Sequence, residues 1–308
     1  MKAFYCHHFV LPLPPEHRFP MAKYARLVER VAASARESGI ELVEPAAASD
    51  VQLCRAHDRA YVERAARGEL DAAELRKIGF PWSPAMIERS RRSSGGTIGA
   101  LAAALSGDGV AVNLAGGTHH AFADHGAGYC VFNDSVVAAR DAQARGLARR
   151  VLIVDLDVHQ GNGTAAIVRD DPSIFAFSMH GERNYPAIKE SGDLDVELPD
   201  GCGDAHYLAE LARHLPVAIG RAAPDAVIYL AGADPYENDR LGRLKLTKQG
   251  LRERDRMVFQ ACLGHDFPVA VTMAGGYASD VADIVDIHYA TVSEAAAFAR
   301  ARAGIVQV

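Results

Sequence analysis

The nine residues from Val151 to His159, VLIVDLDVH, constrain the fold more than any other part of the chain. The run begins with four apolar side chains, as expected for a strand that is buried on both faces. Side chains two residues apart along a strand point the same way, so Asp155, Asp157 and His159 would project together. Two buried carboxylates side by side are costly unless something positive joins them. The run therefore predicts a buried strand whose end carries a metal site.

Similar short apolar runs recur along the chain and are separated by longer amphipathic stretches. This alternation predicts βαβ crossovers and a mainly parallel central sheet with helices on both faces. No linker or repeat interrupts the order, so we expect an α/β fold in one domain over residues 1–308. In such sheets, ligands bind beyond the carboxyl ends of the strands. The predicted strands begin at Ala3, Val110, Val151, Ser173, Asp225 and Pro268.

The amphipathic stretches predict several helices, two of which have clear end signals. One follows Met21 and stops at Gly39, a residue type that often ends helices. Another starts at Ser83-Pro84, a capping residue followed by proline at the first helical position. It is predicted to run towards Leu105, with Gly95-Gly96 as a candidate break. The others span Asp204 to Arg221, Thr247 to Leu263, and the region from Asp280 onwards.

Composition and charge exclude several classes of protein. The 308 residues are 49% hydrophobic, which allows a sizeable core, while a net charge of -6 lacks the basic footprint of nucleic-acid binding. Five scattered cysteines without a CxxC pair indicate a reduced, cytoplasmic protein rather than a disulfide framework. The N-terminus lacks the apolar segment of a signal peptide, and no apolar run approaches the ~20 residues that span a bilayer. We therefore expect no nucleic-acid or membrane partner.

The polar residues at the strand ends suit a catalytic metal site. Asp157 and His159 would supply one oxygen and one nitrogen ligand, and Asp234, at the end of VIYLAGAD, fits as a third. Two aspartates and one histidine leave a coordination position open for water and substrate. The set suits zinc, with iron(II) as the alternative. The competing interpretation is structural, with Asp155 and Asp157 capping helices or pairing with arginines and His159 as a core histidine.

Two further strand ends carry groups suited to acid–base and oxyanion chemistry. His119 and His120 follow the strand from Val110 in a glycine-rich loop, and histidine titrates near neutral pH. Tyr277 follows two glycines in MAGGY, where glycine permits a close backbone approach. Its hydroxyl could then stabilise a developing oxyanion. Taken alone, adjacent histidines can be accidental, and GGY is more often a turn before a core tyrosine.

Taken together, these segments resemble the histone deacetylase family within the arginase/deacetylase superfamily. The matching motifs, in the family's order, are GGTHHAF, GAGYCVFND, VDLDVHQGNGT, FSMH, AGADPYENDRLG and AGGY. HRFPMAKY and GFPWSP extend the match towards the N-terminus. The resemblance implies the three-layer arginase/deacetylase fold. In detail the chain is similar to class IV enzymes and their bacterial relatives, because Gln160 and Asn162 stand where class I enzymes carry a histidine and an aspartate.

The resemblance implies two ion sites. Asp157, His159 and Asp234 would bind zinc, and the Tyr277 hydroxyl would hydrogen-bond the substrate carbonyl beside it. In the family a monovalent cation, usually potassium, sits beneath the zinc site. Its ligands here would be Asp155, Asp157, the His159 carbonyl, the Ser178 hydroxyl and the Met179 carbonyl.

The resemblance also implies that His119 and His120 handle the attacking water and the leaving amine. Asp155 would orient His119, and Asn162 would sit behind His120. A carboxylate favours the protonated form of a histidine, whereas an amide cannot do so by charge. We therefore predict that His120 remains neutral more readily than His119, which would hold the positive charge.

Further residues would form the lysine tunnel. Tyr129 and Tyr185 would be its paired aromatic walls, with Leu241 as another wall residue. Gly128 would offer its carbonyl to the substrate N–H, and Gly275 would let the backbone approach the substrate closely.

We therefore expect a zinc-dependent amidohydrolase that removes acetyl or longer acyl groups from the ε-amine of lysine in proteins or peptides. Some class IV relatives prefer long fatty acyl chains, so the expected substrates include both acetyl-lysine and lysine with longer acyl groups. A deacetylase of acetylpolyamines or other small acylated amines is the alternative. An arginase-like binuclear manganese hydrolase is disfavoured because Gly161 stands where that pattern calls for another aspartate. Nothing supports a silent acyl-binding module, since each group expected for turnover is present.

Overall fold

The computed structural model describes residues 1–11, 13–14 and 16–306, and a single β-sheet forms its centre. The strands are β1 (Lys2–Phe4), β2 (Glu41–Val43), β3 (Val110–Asn113), β4 (Val151–Asp155), β5 (Ile174–Gly181), β6 (Leu194–Leu198), β7 (Ala226–Leu230) and β8 (Val269–Thr272). Their order across the sheet is β2-β1-β3-β8-β7-β4-β5-β6. Every neighbouring pair is parallel, as the strand–helix alternation predicts.

Helices join the strands and cover the sheet. In the described ranges they are α1 (Ala22–Ser38), α2 (Asp50–Leu53), α3 (Arg59–Arg67), α4 (Ala72–Ile78), α5 (Pro84–Ala103), α6 (Asp134–Ala144), α7 (Asn162–Val168), α8 (Asp204–Ala222), α9 (Lys248–Gly264) and α10 (Val281–Val306). A π-helical turn, Ala104–Asp108, follows α5. None of these helices combines the length and the apolar character that crossing a membrane requires.

The sheet is buried on both faces, which explains why its central strands are continuous apolar runs. Along β4, Leu152 and Val154 pack into one core, while Val151 and Ile153 pack into the core on the opposite face. Helices α1, α8, α9 and α10 contribute to the first core, and α3, α5 and α6 contribute to the second. This three-layer arrangement confirms the predicted α/β fold.

The predicted strands match six of the strands observed in the described ranges, and the two outermost strands are the ones missed. β2 is three residues long, and β6 alternates polar and apolar residues, with Glu197 exposed. Edge strands face solvent on one side, so they lack the apolar run on which the prediction depends. Regular pairing of β4 ends at Asp155, earlier than predicted, and Asp157 and His159 lie in the loop that follows.

The predicted helix ends agree closely with the structure. Gly39 ends α1 with a φ of 66°, a conformation that glycine adopts without strain. Ser83 caps α5 by accepting a hydrogen bond from the Met86 N–H at 3.1 Å. Thr247 caps α9 in the same way, accepting from the Gly250 N–H at 3.0 Å.

Helix α5 passes through Gly95-Gly96 without interruption, so the candidate break predicted there is wrong. Both glycines serve close packing instead. A side chain at Gly95 would overlap the Ala46 carbonyl, and one at Gly96 would lie 2.7 Å from the Asn113 side chain. The pair therefore brings α5 against the sheet, and glycine's helix-breaking tendency is overridden by these tertiary contacts.

Candidate active site

Three side chains from two neighbouring strand ends converge in the interior. Asp157 and His159 follow β4, and Asp234 follows β7, the strand beside it. His159 Nδ1 lies 2.9 Å from Asp157 Oδ1 and 3.2 Å from Asp234 Oδ2. All three side chains are buried, and one ligand atom from each lies within 4.8 Å of the others. The structure thus brings together the three residues predicted as metal ligands.

Asp234 gives the clearest sign that this group suits a cation. Its Oδ1 accepts a hydrogen bond from the Val158 N–H at 3.0 Å, but its buried Oδ2 accepts no well-directed hydrogen bond from the described residues, and only His159 Nδ1 lies near it, at 3.2 Å. Burial and the neighbouring charge of Asp157 raise the pKa of the Asp234 carboxyl to about 7. A cation here would use the free oxygen and offset the repulsion between the two carboxylates. The donor set of two carboxylates and one imidazole suits a divalent metal such as zinc or iron(II).

Glycines at two loops allow the carboxylates to lie this close to the backbone. A side chain at Gly275 would overlap Asp234 Oδ2, and one at Gly232 would lie 2.7 Å from Asp157 Oδ2. The Gly275 N–H also donates to Asp157 Oδ2 at 2.7 Å. Gly275, predicted as a substrate-binding residue, therefore packs directly on this group of three side chains and also lines a cavity beside it. Gly232 was not singled out by the sequence.

A buried arginine from α9 supports both ligand-bearing loops from behind. Arg254 Nη1 donates to the carbonyl of Gly232 at 2.6 Å and to that of Leu156 at 3.3 Å. Its charge is paired with Asp255, whose Oδ1 lies 2.8 Å from Arg254 Nη2. Both side chains are buried. Since Leu156 precedes Asp157 and Gly232 precedes Asp234 by two residues, Arg254 fixes the two loops relative to each other.

His119 lies beside the group and is paired with Asp155. Its Nδ1 lies 2.6 Å from Asp155 Oδ2, and its Nε2 lies 3.8 Å from Asp157 Oδ1. Burial disfavours the charged imidazole, but the carboxylates of Asp155 and Asp157 outweigh burial and raise the pKa of His119 to about 9. His119 is therefore the member of the histidine pair that carries a positive charge near neutral pH.

His120 has the opposite character because an amide stands behind it. Its Nδ1 lies 2.7 Å from Asn162 Oδ1, an acceptor, so Nδ1 carries the hydrogen and Nε2 is free to accept a proton. Burial, together with the positive charges of His119 and His159, holds the pKa of His120 well below its usual range. The centroids of the His119 and His120 rings are 4.1 Å apart, so one charged and one neutral histidine lie side by side.

Tyr277 stands across the cavity, close to His159. Burial, followed by the negative charges of Asp234 and Asp157, holds the pKa of its hydroxyl well above the usual range. The hydroxyl therefore keeps its proton and can donate a hydrogen bond. The Tyr277 backbone is fixed on both sides, because its N–H donates to Asp239 Oδ2 at 2.6 Å and its carbonyl accepts from Arg240 Nε at 2.9 Å.

The opposite side of the Tyr277 loop rests on Lys23 of α1. Lys23 is buried, and its Nζ donates to the carbonyls of Ala274 and Gly276 at 3.4 and 3.3 Å. The same ammonium lies 5.3 Å from the centre of the Tyr277 ring. Lys23, Asp239 and Arg240 thus position the tyrosine, and the sequence pattern identified none of them. A lysine within an amphipathic helix looks like a surface residue, and this one is buried by the loop from β8.

Two adjoining cavities, of about 440 Å³ and 70 Å³, open onto this group. The larger one leads outwards and is lined by the predicted tunnel residues Tyr185 and Leu241. The smaller one lies deeper and includes Gly275 in its lining. Both cavities share the lining residues His120, Gly128, Tyr129, His159 and Tyr277.

The predicted monovalent-cation residues lie together below the group. Asp155 and Ser178 are register partners on β4 and β5, and Met179 is the next, fully buried residue of β5. Ser178 Oγ lies 2.9 Å from His180 Nδ1, with which it shares a hydrogen bond. The potassium site stays a prediction.

The fold and the strand-end site place the chain among hydrolases of the arginase/deacetylase architecture. A family model described as a histone deacetylase domain matches residues 17–292. This chain therefore belongs to the histone deacetylase family, whose members act on acylated amines in proteins or small molecules.

Relatives support this assignment along most of the chain. An uncharacterized protein of Picosynechococcus sp. is 44% identical over 280 residues, covering 91% of this chain and 93% of that protein. Histone deacetylase 2 of Arabidopsis thaliana is 31% identical, covering 87% of this chain and 72% of that protein. A histone deacetylase-like amidohydrolase of Pseudomonas aeruginosa is 30% identical, covering 82% and 70%.

Solved structures show the same fold. The HDA15 HD domain has a TM-score of 0.80 at 23% identity, covering 96% of this chain and 88% of that chain. An acetylpolyamine aminohydrolase of Burkholderia pseudomallei has a TM-score of 0.75 at 20% identity, covering 97% and 99%. The fold is thus shared with a protein named for its action on acetylpolyamines.

Proposed function

We propose that this chain is a metal-dependent deacylase that removes acetyl or longer acyl groups from the ε-amine of lysine in proteins or peptides. The observation that carries the proposal is the buried group of Asp157, His159 and Asp234, because two of its members, Asp157 and His159, line the same cavity as the histidine pair and Tyr277. Zinc is the proposed metal, and residues 1–308 are proposed to form one catalytic domain. Asn162 and Gln160 support a relationship to class IV deacetylases.

The roles of the side chains follow from their protonation states. A bound zinc ion would polarise the substrate carbonyl and acidify a water molecule. His120 is the proposed base, because its neutral ring has Nε2 free to accept the proton of the attacking water. His119 holds a positive charge against Asp155. The leaving amine takes its proton from this histidine pair.

Tyr277 is the proposed hydrogen-bond donor to the substrate carbonyl. Its hydroxyl stays protonated, and the residue lines both cavities together with His159. Such a donor stabilises the negative charge that develops on the carbonyl oxygen. Gly128 is proposed to accept the substrate N–H, with Tyr129 and Tyr185 beside the lysine chain and Leu241 near the entrance.

An acyl-length series would test this proposal directly. The protein, loaded with zinc, would be assayed on one lysine peptide carrying acetyl, butyryl, octanoyl or myristoyl groups, alongside an acetylated polyamine. We expect peptide hydrolysis that depends on metal, and the best chain length would measure the space beyond the catalytic group. Tyr277→Phe should lower kcat by about 10²–10³-fold, as for the loss of one oxyanion donor.

Tyr289→Phe is the matched control, since this tyrosine lies on α10, packs against the core and does not line either cavity. Near-normal turnover by Tyr277→Phe would remove Tyr277 from the mechanism. Hydrolysis of the polyamine alone would replace lysine with a small acylated amine as substrate. Metal counting would separate one metal per chain from the arginase-like pair, and absence of all hydrolysis would leave a binding module.

A further inference from the structure

Four cations surround the entrance to the catalytic cavity of this acidic protein. The outer cavity of about 440 Å³ has Arg76, Lys77, Arg183 and Arg243 in its lining, and the described lining contains no carboxylate. All four side chains belong to exposed residues. The chain as a whole carries a net charge of -6, so a basic entrance runs against its average composition. We call these four residues the basic rim.

Most of the basic rim is free to act on a ligand. Arg243 is paired with Asp200, at 3.1 Å between Nη1 and Oδ2. In contrast, no carboxylate from the described part of the chain lies within 4.0 Å of the charged groups of Arg76, Lys77 or Arg183. These three exposed charges therefore have no ion-pair partner within that distance, although Lys77 is near enough to Asp124 to help His125 lower the pKa of that carboxyl.

The rim is also attached to the walls of the cavity. Arg76 and Lys77 lie in the last turn of α4, and the Lys77 carbonyl accepts the Gly128 N–H at 2.9 Å. Arg183 is two residues from Tyr185, whose ring lies 4.8 Å from that of His120. A substrate reaching His120 through this cavity therefore passes residues of the basic rim.

We propose that the basic rim selects acyl-lysines whose neighbouring residues in the peptide are acidic. This inference rests on the proposed deacylase function and names its preferred substrate. The acylated side chain is neutral, so the charges of its sequence neighbours decide the electrostatic interaction at the entrance. Carboxylates on either side of the acyl-lysine would pair with the unpartnered cations, with arginine able to bind them through two hydrogen bonds. Polycations such as acetylated polyamines would be repelled.

A set of matched peptides tests the idea on the unmodified protein. Each peptide has the same central acetyl-lysine, while the two residues on each side are all acidic, all amide or all basic. We expect kcat/KM to fall in that order, by about tenfold between the extremes, as three exposed ion pairs would give. The difference should lie mainly in KM and shrink in high salt, which screens exposed charges.

A second experiment reverses the charges of the basic rim. The triple variant Arg76→Glu, Lys77→Glu, Arg183→Glu should reverse the preference and favour the basic peptide. The matched control is Arg26→Glu, Arg213→Glu, Arg300→Glu, which makes the same change in net charge at exposed residues outside both cavity linings. The control should keep the original order.

The outcomes separate the two proposals. Equal kcat/KM for the three peptides, or faster hydrolysis of the basic one, would overturn the rim proposal while Tyr277-dependent hydrolysis of the amide peptide upheld the deacylase function. An unchanged order in the triple rim variant would also overturn it. If no peptide is hydrolysed, the proposed function fails, and the rim proposal fails with it.

Discussion

The floor and the entrance of the candidate active site are built on different principles. The floor consists of side chains from adjacent strand ends, and Asp157, His159 and Asp234 are between 0% and 8% exposed. The entrance comes from loops and the end of a short helix, and Tyr185 there is 45% exposed. The floor carboxylates accept hydrogen bonds from neighbouring backbone N–H groups, whereas the rim arginines mostly face solvent.

This difference suggests that the floor carries out the reaction, whereas the entrance selects the substrate. A buried floor of closely packed charges tolerates little change, because each carboxylate depends on its neighbours for charge compensation. An exposed entrance tolerates substitution, since surface changes away from such networks usually cost little stability. We therefore expect floor variants to lose metal and turnover, and entrance variants to change the choice of substrate.

The largest effect is expected from Asp234→Asn. The amide keeps the shape of the carboxylate but removes its charge, so the group loses one of its two anionic ligands. Metal content after dialysis should fall well below one ion per chain, and turnover should drop more than about 100-fold, beyond the cost of losing an outer partner. The matched change at the entrance is Asp200→Asn, which alters the exposed partner of Arg243. This variant should keep its metal content and its turnover. Full metal content in Asp234→Asn would show that the floor is not a metal site of this kind.

Arg254→Met should have the next largest effect, although this residue touches neither metal nor substrate. The variant leaves Asp255 buried without its cation and frees the loops before Asp157 and Asp234. Metal affinity should weaken by about 10–100-fold, as for other outer partners, and the free energy of unfolding should fall by about 3–5 kcal/mol. Competition with a chelator measures the metal affinity, and denaturant titration measures the free energy of unfolding.

Arg256→Met on the same helix is the control for Arg254→Met. Its ion pairs with Glu253 and Glu294 are partly exposed, so Arg256→Met should lower the free energy of unfolding far less than Arg254→Met does. A variant Arg254→Met that unfolds more easily yet binds metal normally would contradict the positioning role.

Away from the two cavities, His57 should make the stability of the protein depend on pH. Its Nδ1 donates to the Phe122 carbonyl at 2.8 Å and its Nε2 accepts from the Asn133 N–H at 2.8 Å, so both bonds use the neutral ring. Burial lowers the pKa of His57 to about 4. Between pH 6.5 and 4 the unfolded chain binds a proton here that the folded chain does not, so stability falls as the pH falls. The loss should approach about 3 kcal/mol by pH 4.

Unfolding measured across this pH range would check the His57 effect. The variant His57→Gln should be less stable at pH 7 but should lack this part of the slope. His206→Gln changes an exposed histidine on α8 and should leave the slope intact. A slope that survives in His57→Gln would assign the acid sensitivity to other groups.

The smallest effect is expected at the entrance, from Tyr185→Ala. This ring is half-exposed and packs edge-on against His120. Its loss removes one wall contact and should raise KM by only a few-fold, within the range of a single aromatic contact, with kcat nearly unchanged. Steady-state kinetics on an acetyl-lysine peptide would show this; a large fall in kcat would instead place Tyr185 among the groups that act on the reacting atoms.

The contrast also explains what the sequence could predict. Asp155, Asp157 and His159 stand out because polar residues interrupt an apolar run, and strand ends of a parallel sheet must meet. Arg254 lies in a helix rich in charged residues, so its sequence context resembles a solvated surface. Nothing local shows that this one arginine is turned inwards.

The entrance was harder to predict for a different reason. Arg76 and Arg183 are separated by more than a hundred residues and lie in segments without a repeating pattern. Their proximity depends on how loops fold over the sheet, and loop conformation is set by tertiary contacts. The wall residues Tyr129, Tyr185 and Leu241 were proposed only from family resemblance, because their spacing alone carries no chemical signal.

During synthesis, the middle of the sheet must be the last part to close. β8 lies between β3 and β7, yet it is the final strand of the described chain to leave the ribosome. Until it emerges, two inner strand edges stay open to pairing with other chains. A nascent chain that stops before Val269 should therefore be protease-sensitive, prone to aggregation and unable to retain metal, whereas the released chain should resist digestion. Nearly the whole chain must therefore be synthesised before the sheet, and the site at its strand ends, can form.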